Sequence, residues 1–277
     1  MICLKHTFLN LHETAHNGHG RRPQSGLQGG RRRVLCALLV AVPFAMAATP
    51  PASVPSAPAP AAEQLHYVIN WPSGLGLGEA SLTFRSAPAK AGEPARVEGD
   101  LKIDASVPGF QVADHYQSTA GANFCSTSFD KVLSHGTRRA DETLQFDQRH
   151  GTIVRESVAA APIRVPVGTY RVGAAACAKD ALTYLAYMRR ELAQGRLPEQ
   201  QTVYFGAPYQ VNLNYRGEET VQVSGAAVSA DRVDVQVHGP ASDVGFTAFF
   251  ARDAVRTPVL FRVPLQNGTF SMELQKQ

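Results

Sequence analysis

The chain has 277 residues, 44% of them apolar, an ordinary share for a globular protein and enough length for one or two domains. Its net charge of +4 sits at the start: residues 1–33 carry Lys5, Arg21, Arg22, Arg31, Arg32 and Arg33 against Glu13, whereas from residue 64 onward 21 basic groups face 21 acidic ones. A neutral body of mixed charge gives nucleic acid no electrostatic footing, so that class of partner is excluded from the expectations.

Residues 1–30 are rich in Gly, His and Arg and precede a complete export signal, as a misassigned start or a disordered leader would. Within them His12-Glu13-Thr14-Ala15-His16 has the spacing of a helical zinc-protease motif. It lies upstream of the signal in a stretch too short to fold, with Gly18 and Gly20 close behind, so no metal site is expected. Residues 31–47 read as a signal peptide. Arg31-Arg32-Arg33 is followed by an apolar run from Val34 to Phe44 and the small-x-small site Ala45-Met46-Ala47. The run is shorter than the about 20 residues a membrane span needs, so cleavage near Ala47 and export to the periplasm are expected. The arginines loosely fit a twin-arginine signal. Cys36 lies inside the apolar run, so a lipid-anchored start is not expected. Residues 48–63 form a Pro/Ala linker that is extended and packs no core.

From Gln64 to residue 277 the pattern is that of one mostly antiparallel β domain. Leu65, Tyr67, Ile69 and Trp71 alternate with His66, Val68 and Asn70, the period-2 signal of a strand. Pro72-Ser73-Gly74 marks a turn, and residues 79–85 read as the return strand. The glycines at 74, 76 and 78 miss the dinucleotide spacing and no helix follows, so they are assigned to a hairpin. Further strands are expected at 95–107, 144–146, 152–157, 202–205, 209–215, 219–224, 233–238, 247–250 and 259–265. The last is joined through Asn267-Gly268 to 269–274. Short strands with polar alternate positions argue for an antiparallel sheet with one wet face. One helix is expected, over 179–194, with Leu182, Leu185, Met188 and Leu192 on one stripe, Asp180 in its first turn and Gly195 after its end. It should cover one end or the concave side of the sheet.

Two cysteines remain after signal removal, Cys125 and Cys177. An exported protein with two suggests one disulfide, the alternatives being two separate buried thiols or a redox pair, though no C-x-x-C is present.

Three stretches then carry a resemblance: Leu65–Trp71 followed by Gly78–Leu82, Cys177–Arg189, and Asp253–Val259 before the closing hairpin. In order and spacing the chain resembles the exported bacterial proteins grouped as domain of unknown function 3108 (DUF3108). The resemblance implies a curved or spiral antiparallel sheet in the cell envelope, open-barrel-like with one amphipathic helix. That architecture is similar to periplasmic lipoprotein carriers, whose open barrels hold acyl chains. It supplies no catalytic residues.

Nothing in the body builds chemistry. His66, His115, His135, His150 and His238 are scattered, without metal-site spacing, and are expected to be exposed or hydrogen-bonded. Ser126, Ser128 and Ser134 read as polar loop residues, and no G-x-S-x-G elbow exists. Glu218-Glu219 reads as a turn between strands, and Asp253 with Arg256 as a turn-closing ion pair. No cofactor and no catalysis are expected. Trp71, the single Trp, and Tyr184, Tyr187 and Met188 on the helix are the candidates for lining a ligand pocket, against the plainer reading of core and packing residues. Two functions follow: a non-catalytic carrier for an apolar ligand such as a lipid or an acylated protein, or a structural envelope protein acting through protein contacts.

Overall fold

The computed structural model describes residues 62–276 apart from 88–93, 108, 161–162, 174–175, 241–242 and 266–267. The leader, its H-E-x-x-H stretch, the signal with Cys36, the linker up to residue 61 and Asn267 of the closing turn lie outside the described residues.

Among the described residues fifteen strands and one helix follow in the order β1 (Ala62–Asn70), β2 (Gly76–Ala87), β3 (Arg96–Val107), β4 (Phe110–Gly121), β5 (Ser126–His135), β6 (Arg138–Asp147), β7 (Thr152–Ala160) and β8 (Ile163–Arg171). Then come β9 (Lys179–Asp180), the helix α1 (Ala181–Ala193), β10 (Gln201–Tyr204), β11 (Pro208–Val223), β12 (Ala226–His238), β13 (Asp243–Ala251), β14 (Pro258–Leu265) and β15 (Gly268–Leu274). All strands join one sheet, ordered β8-β7-β6-β5-β4-β3-β2-β1-β15-β14-β13-β12-β11-β10-β9. It is an up-and-down meander whose first and last strands meet in the middle, β1 and β15 pairing antiparallel from Tyr67↔Leu274 to Asn70↔Ser271. The free edges are β8 and the two-residue β9, which pairs parallel with β10.

Alternation sets the faces. Leu65, Tyr67 and Ile69 of β1, Leu101 and Ile103 of β3, and Val233, Val235 and Val237 of β12 point into one core, and their neighbours face water. The β9–β10 edge turns back into the concave side of β4–β8. Ser126 N donates to Ala178 O at 2.9 Å, the Gln148 amide bridges Ser126 and Ala178, and Tyr170 Oη donates to Gly206 O at 2.9 Å. Phe205 of the β10–β11 turn is the knob that fills this closure, its ring 5.4 Å from Tyr116 and 5.6 Å from Phe129.

The architecture is the expected mainly β sheet with one helix, and several details differ from the sequence reading. β1 begins at Ala62, so Ala62 and Glu63 belong to the domain and not to the linker; Glu63 is held there by Arg189. Segments 209–215 and 219–224 are one strand, because a bulge between Tyr215 and Gly217 absorbs the break. Glu218 and Glu219 therefore lie within β11 rather than in a turn, and bond Arg252 and Arg232. Ser126, Ser128 and Ser134 lie on β5, not in a loop. Asp253 Oδ1 caps its turn by accepting from Val255 N and Thr257 N, while Arg256 points to Asp231 and Leu192 O. Gly78 is required where it stands, since a Cβ there would lie 2.0 Å from Asp104 O on the neighbouring strand.

Candidate functional site: an apolar crevice beneath the helix

The site is made by the placement of α1. Asp180 is its N-cap: Oδ1 accepts from Leu182 N (2.8 Å) and Thr183 N (3.0 Å). Oδ2 accepts three hydroxyls, from Ser126 (2.6 Å), Ser118 (2.7 Å) and Thr183 (2.8 Å). The carboxylate thus takes five donors at a fully buried position. Burial pushes its pKa up, and the donors from Ser126, Thr183 and Ser118 pull against that.

Three residues upstream, the Cys125–Cys177 disulfide, Cα–Cα 4.9 Å, fastens the entry to α1 onto the β4–β5 turn. At the far end Arg189 clamps Glu63 with two bonds of 2.7 and 2.8 Å and donates its Nε to Val255 O and Arg256 O. Gly195 in the left-handed region (φ 71) closes the helix, with Arg196 N returning to Glu191 O. On the β3 side Leu182 Cβ comes so near Gly99 that a Cβ there would lie 3.2 Å away. The helix is therefore pressed onto β3 and β4 and tied at both ends.

Its other flank leaves a gap. Ala181, Leu182, Tyr184, Leu185 and Met188 form one wall. The opposite wall is the sheet: Leu82, Leu101, Val211, Leu213, Val235, Val237, Phe246, Ala248, Phe261 and Met272. Every lining side chain is apolar except for the hydroxyl of Tyr184, whose pKa burial raises against a lowering interaction with Gln201. The crevice holds about 50 Å³ and is partly open to solvent, and Ala181 and Leu185 among its lining residues are half-buried. Drug-sized sites run to roughly 300–1,000 Å³, so this is a slot that a ligand must widen.

The sequence candidates divide here. Tyr184 and Met188 line the crevice. Trp71 sits elsewhere, packed edge-on against Phe270 at 4.7 Å in the β1–β2 turn. Tyr187 points off the crevice, with Lys179 Nζ 4.5 Å and the Arg190 guanidinium 5.1 Å from its ring and Phe124 beside it. The sheet wall was not singled out from sequence, because its valines and phenylalanines carry the same period-2 signal as any core strand.

A second polar cluster lines β4–β7. Asp114, fully buried, accepts from His135 Nε2 (2.9 Å) and Tyr116 Oη (3.1 Å). Glu142 pairs with Lys131 at 2.6 Å and with Arg155. Burial pushes the Glu142 pKa up, but Arg155 and Lys131 outweigh it and hold the carboxyl below its usual range. Among the described residues no three His, Cys, Asp or Glu side chains are grouped to hold a metal. Among the described residues no helix is long and apolar enough to cross a membrane.

Comparison with known proteins follows the same lines. Residues 65–275 match the family model described as "Protein of unknown function (DUF3108)". Three solved structures are similar. A β-barrel-like protein of domain of unknown function DUF1849 from Brucella abortus shares 10% identity over 77% of this chain and 95% of that one, with a TM-score of 0.49. The Mycobacterium tuberculosis lipoprotein LppX shares 13% over 77% and 85%, TM-score 0.24. An exported protein with a YmcC-like fold from Bacteroides fragilis shares 8% over 78% and 96%, TM-score 0.32. No curated protein matches the sequence.

Proposed function

We propose that this chain, which belongs to the DUF3108 family, is an exported periplasmic module that binds or carries an apolar, lipid-like ligand without catalysis. The observation that supports the reading is the crevice between α1 and the concave sheet, walled by apolar side chains from both. Such a wall recognises alkyl surface by area and not by hydrogen bonds, and each buried methylene contributes about 0.8 kcal/mol. Unbranched Met188 repacks readily around a guest chain.

Native mass spectrometry of the protein purified from the periplasm tests the reading. A bound mass of lipid size, lost on organic extraction, supports it. An apo mass from cells rich in envelope lipid counts against it.

A second reading, a structural envelope protein working through protein contacts, draws on β8, an edge strand exposing Ile163, Val165 and Val167. That edge carries Pro166 and lies beside two irregularities in the β7–β8 register, devices that blunt strand addition. The crevice reading therefore stands first.

A further inference from the structure

Two polar side chains beside the entry to α1 lack the partners that burial ordinarily brings. Tyr184, whose ring lines the crevice, is 5% exposed, and its Oη makes no hydrogen bond among the described residues. Gln201 is near enough to bias the ionisation of that phenol without bonding it. Lys179 of β9 is 6% exposed, and among the described residues its ammonium meets no carboxylate. Its Nζ donates to Cys177 O at 3.1 Å and to Gln201 Oε1 at 3.4 Å, touches Cys177 Sγ at 3.5 Å and lies 4.5 Å from the centre of the Tyr187 ring. None of these groups carries a charge. The acids around it are engaged or turned out: Glu191 bonds Arg190 and Arg196, Asp180 spends its carboxylate on the helix cap and its hydroxyl donors, and Glu199 is exposed.

Strand register brings these groups to the crevice. Gln201 pairs with Val211, a lining residue, across β10 and β11. Lys179 pairs with Val203, which is two residues from Gln201 and so on the same face. Tyr184 Oη, Gln201 and Lys179 Nζ therefore make one polar corner, at the first-turn end of an otherwise apolar slot. Burial, with Arg190 close by, pulls the Lys179 pKa down against the opposing pull of Glu191. A bound anion would favour the charged ammonium.

We infer that the crevice takes a single-chain amphiphile with a carboxylate head, the chain lying in the slot and the head held by Tyr184 Oη, Gln201 and Lys179 Nζ. The inference rests on the apolar-ligand reading and names the class of the ligand. An ionised carboxylate brings acceptors only, and the corner offers it donors: the phenol, the ammonium and the Gln201 Nε2, since the Gln201 Oε1 already accepts from Lys179. Its one negative charge matches the one ammonium, and a charge-assisted bond shielded from water is stronger than a neutral one. The slot holds about 50 Å³, which suits one alkyl chain and not two side by side.

The test is equilibrium dialysis of the purified protein at neutral pH against radiolabelled laurate and against its uncharged counterpart, dodecanol. Laurate should bind about tenfold tighter or more, the gain expected of a charge-assisted bond. Lys179→Met, similar in length and uncharged, should lower laurate affinity by about the same factor and leave dodecanol binding unchanged, which also shows that the slot is intact. Tyr184→Phe should weaken laurate severalfold yet melt no lower than wild type, because the hydroxyl it removes bonds nothing in the free protein. Laurate bound no tighter than dodecanol, or equally well by wild type and Lys179→Met, overturns the inference while the crevice reading survives. Failure of wild type to bind either ligand defeats the crevice reading and the head-group inference with it.

Discussion

Replacing Cys125 and Cys177 together by alanine should lower the melting temperature by roughly 8–16 °C. The bond spans 52 residues of sequence. In the chain-entropy account, opening a loop of that length returns about 4 kcal/mol of freedom to the unfolded chain. A domain of this size loses about 2–4 °C per kcal/mol. The native state loses a local constraint too: without the bond, the strand leading into α1 is held to the β4–β5 turn by the Ser126–Ala178 and Gln148 hydrogen bonds. Circular-dichroism melts of wild type and variant, each with and without reductant, measure the effect. Reductant should bring wild type to the variant's value and leave the variant unmoved. A double variant melting within two degrees of wild type, or Cys125 and Cys177 reacting with maleimide in the native protein, would refute the reasoning.

Three further outcomes follow from the packing. Glu142→Gln leaves Lys131 and Arg155 facing a neutral amide and should cost about 1–3 kcal/mol at pH 7 by denaturant unfolding. Glu142 has a folded-state pKa below its unfolded value of about 4.3, so its contribution is present above that pH and is lost as pH falls through the folded pKa; the variant's stability should therefore fall less steeply than wild type below pH 4. Phe205→Ala removes the ring that closes the curl between Tyr116 and Phe129 and should cost about 3–5 kcal/mol, read as a shift in the urea midpoint. Asp180→Ala strips the N-cap and leaves the hydroxyls of Ser118, Ser126 and Thr183 without their acceptor, for a loss of about 2–4 kcal/mol, with amide exchange accelerated most in the first turn of α1.

Which parts of this fold were legible in the sequence depended on whether the inward face of a strand was apolar. β1, β3 and β12–β15 carry apolar residues inward and polar ones outward, so alternation marked them. β4 and β5 escaped because their inward positions include buried Asp114 and Ser118, buried Ser126, and Lys131. A polar residue on a core face cancels the period-2 signal, and its partner, such as Glu142 for Lys131, is invisible until the strands pair. β8 escaped because nearly all of it is exposed, so no face is selected. α1 was legible from its leucine stripe and its Asp180 and Gly195 signals, and the structure shortens it only to Ala181–Ala193. The disulfide was one of three readings open to the two cysteines, and the geometry supplies it. Tyr184 and Met188 fell on the crevice because the helix stripe points there. Trp71 and Tyr187 did not, since residue type alone carries no direction.

The crevice is the centre of this account, and covalent capture addresses it most directly. The protein is loaded with a fatty acid bearing a diazirine in mid-chain, irradiated, digested and mapped by mass spectrometry. The account predicts adducts on α1 at Leu185 and Met188 and on the facing strands at Val211, Leu213 and Val235. It also predicts that Ala248→Val, which narrows the slot, weakens labelling, with an unchanged circular-dichroism spectrum as the control for folding. Adducts confined to the outer face of the sheet, or labelling undiminished in Ala248→Val, would contradict it.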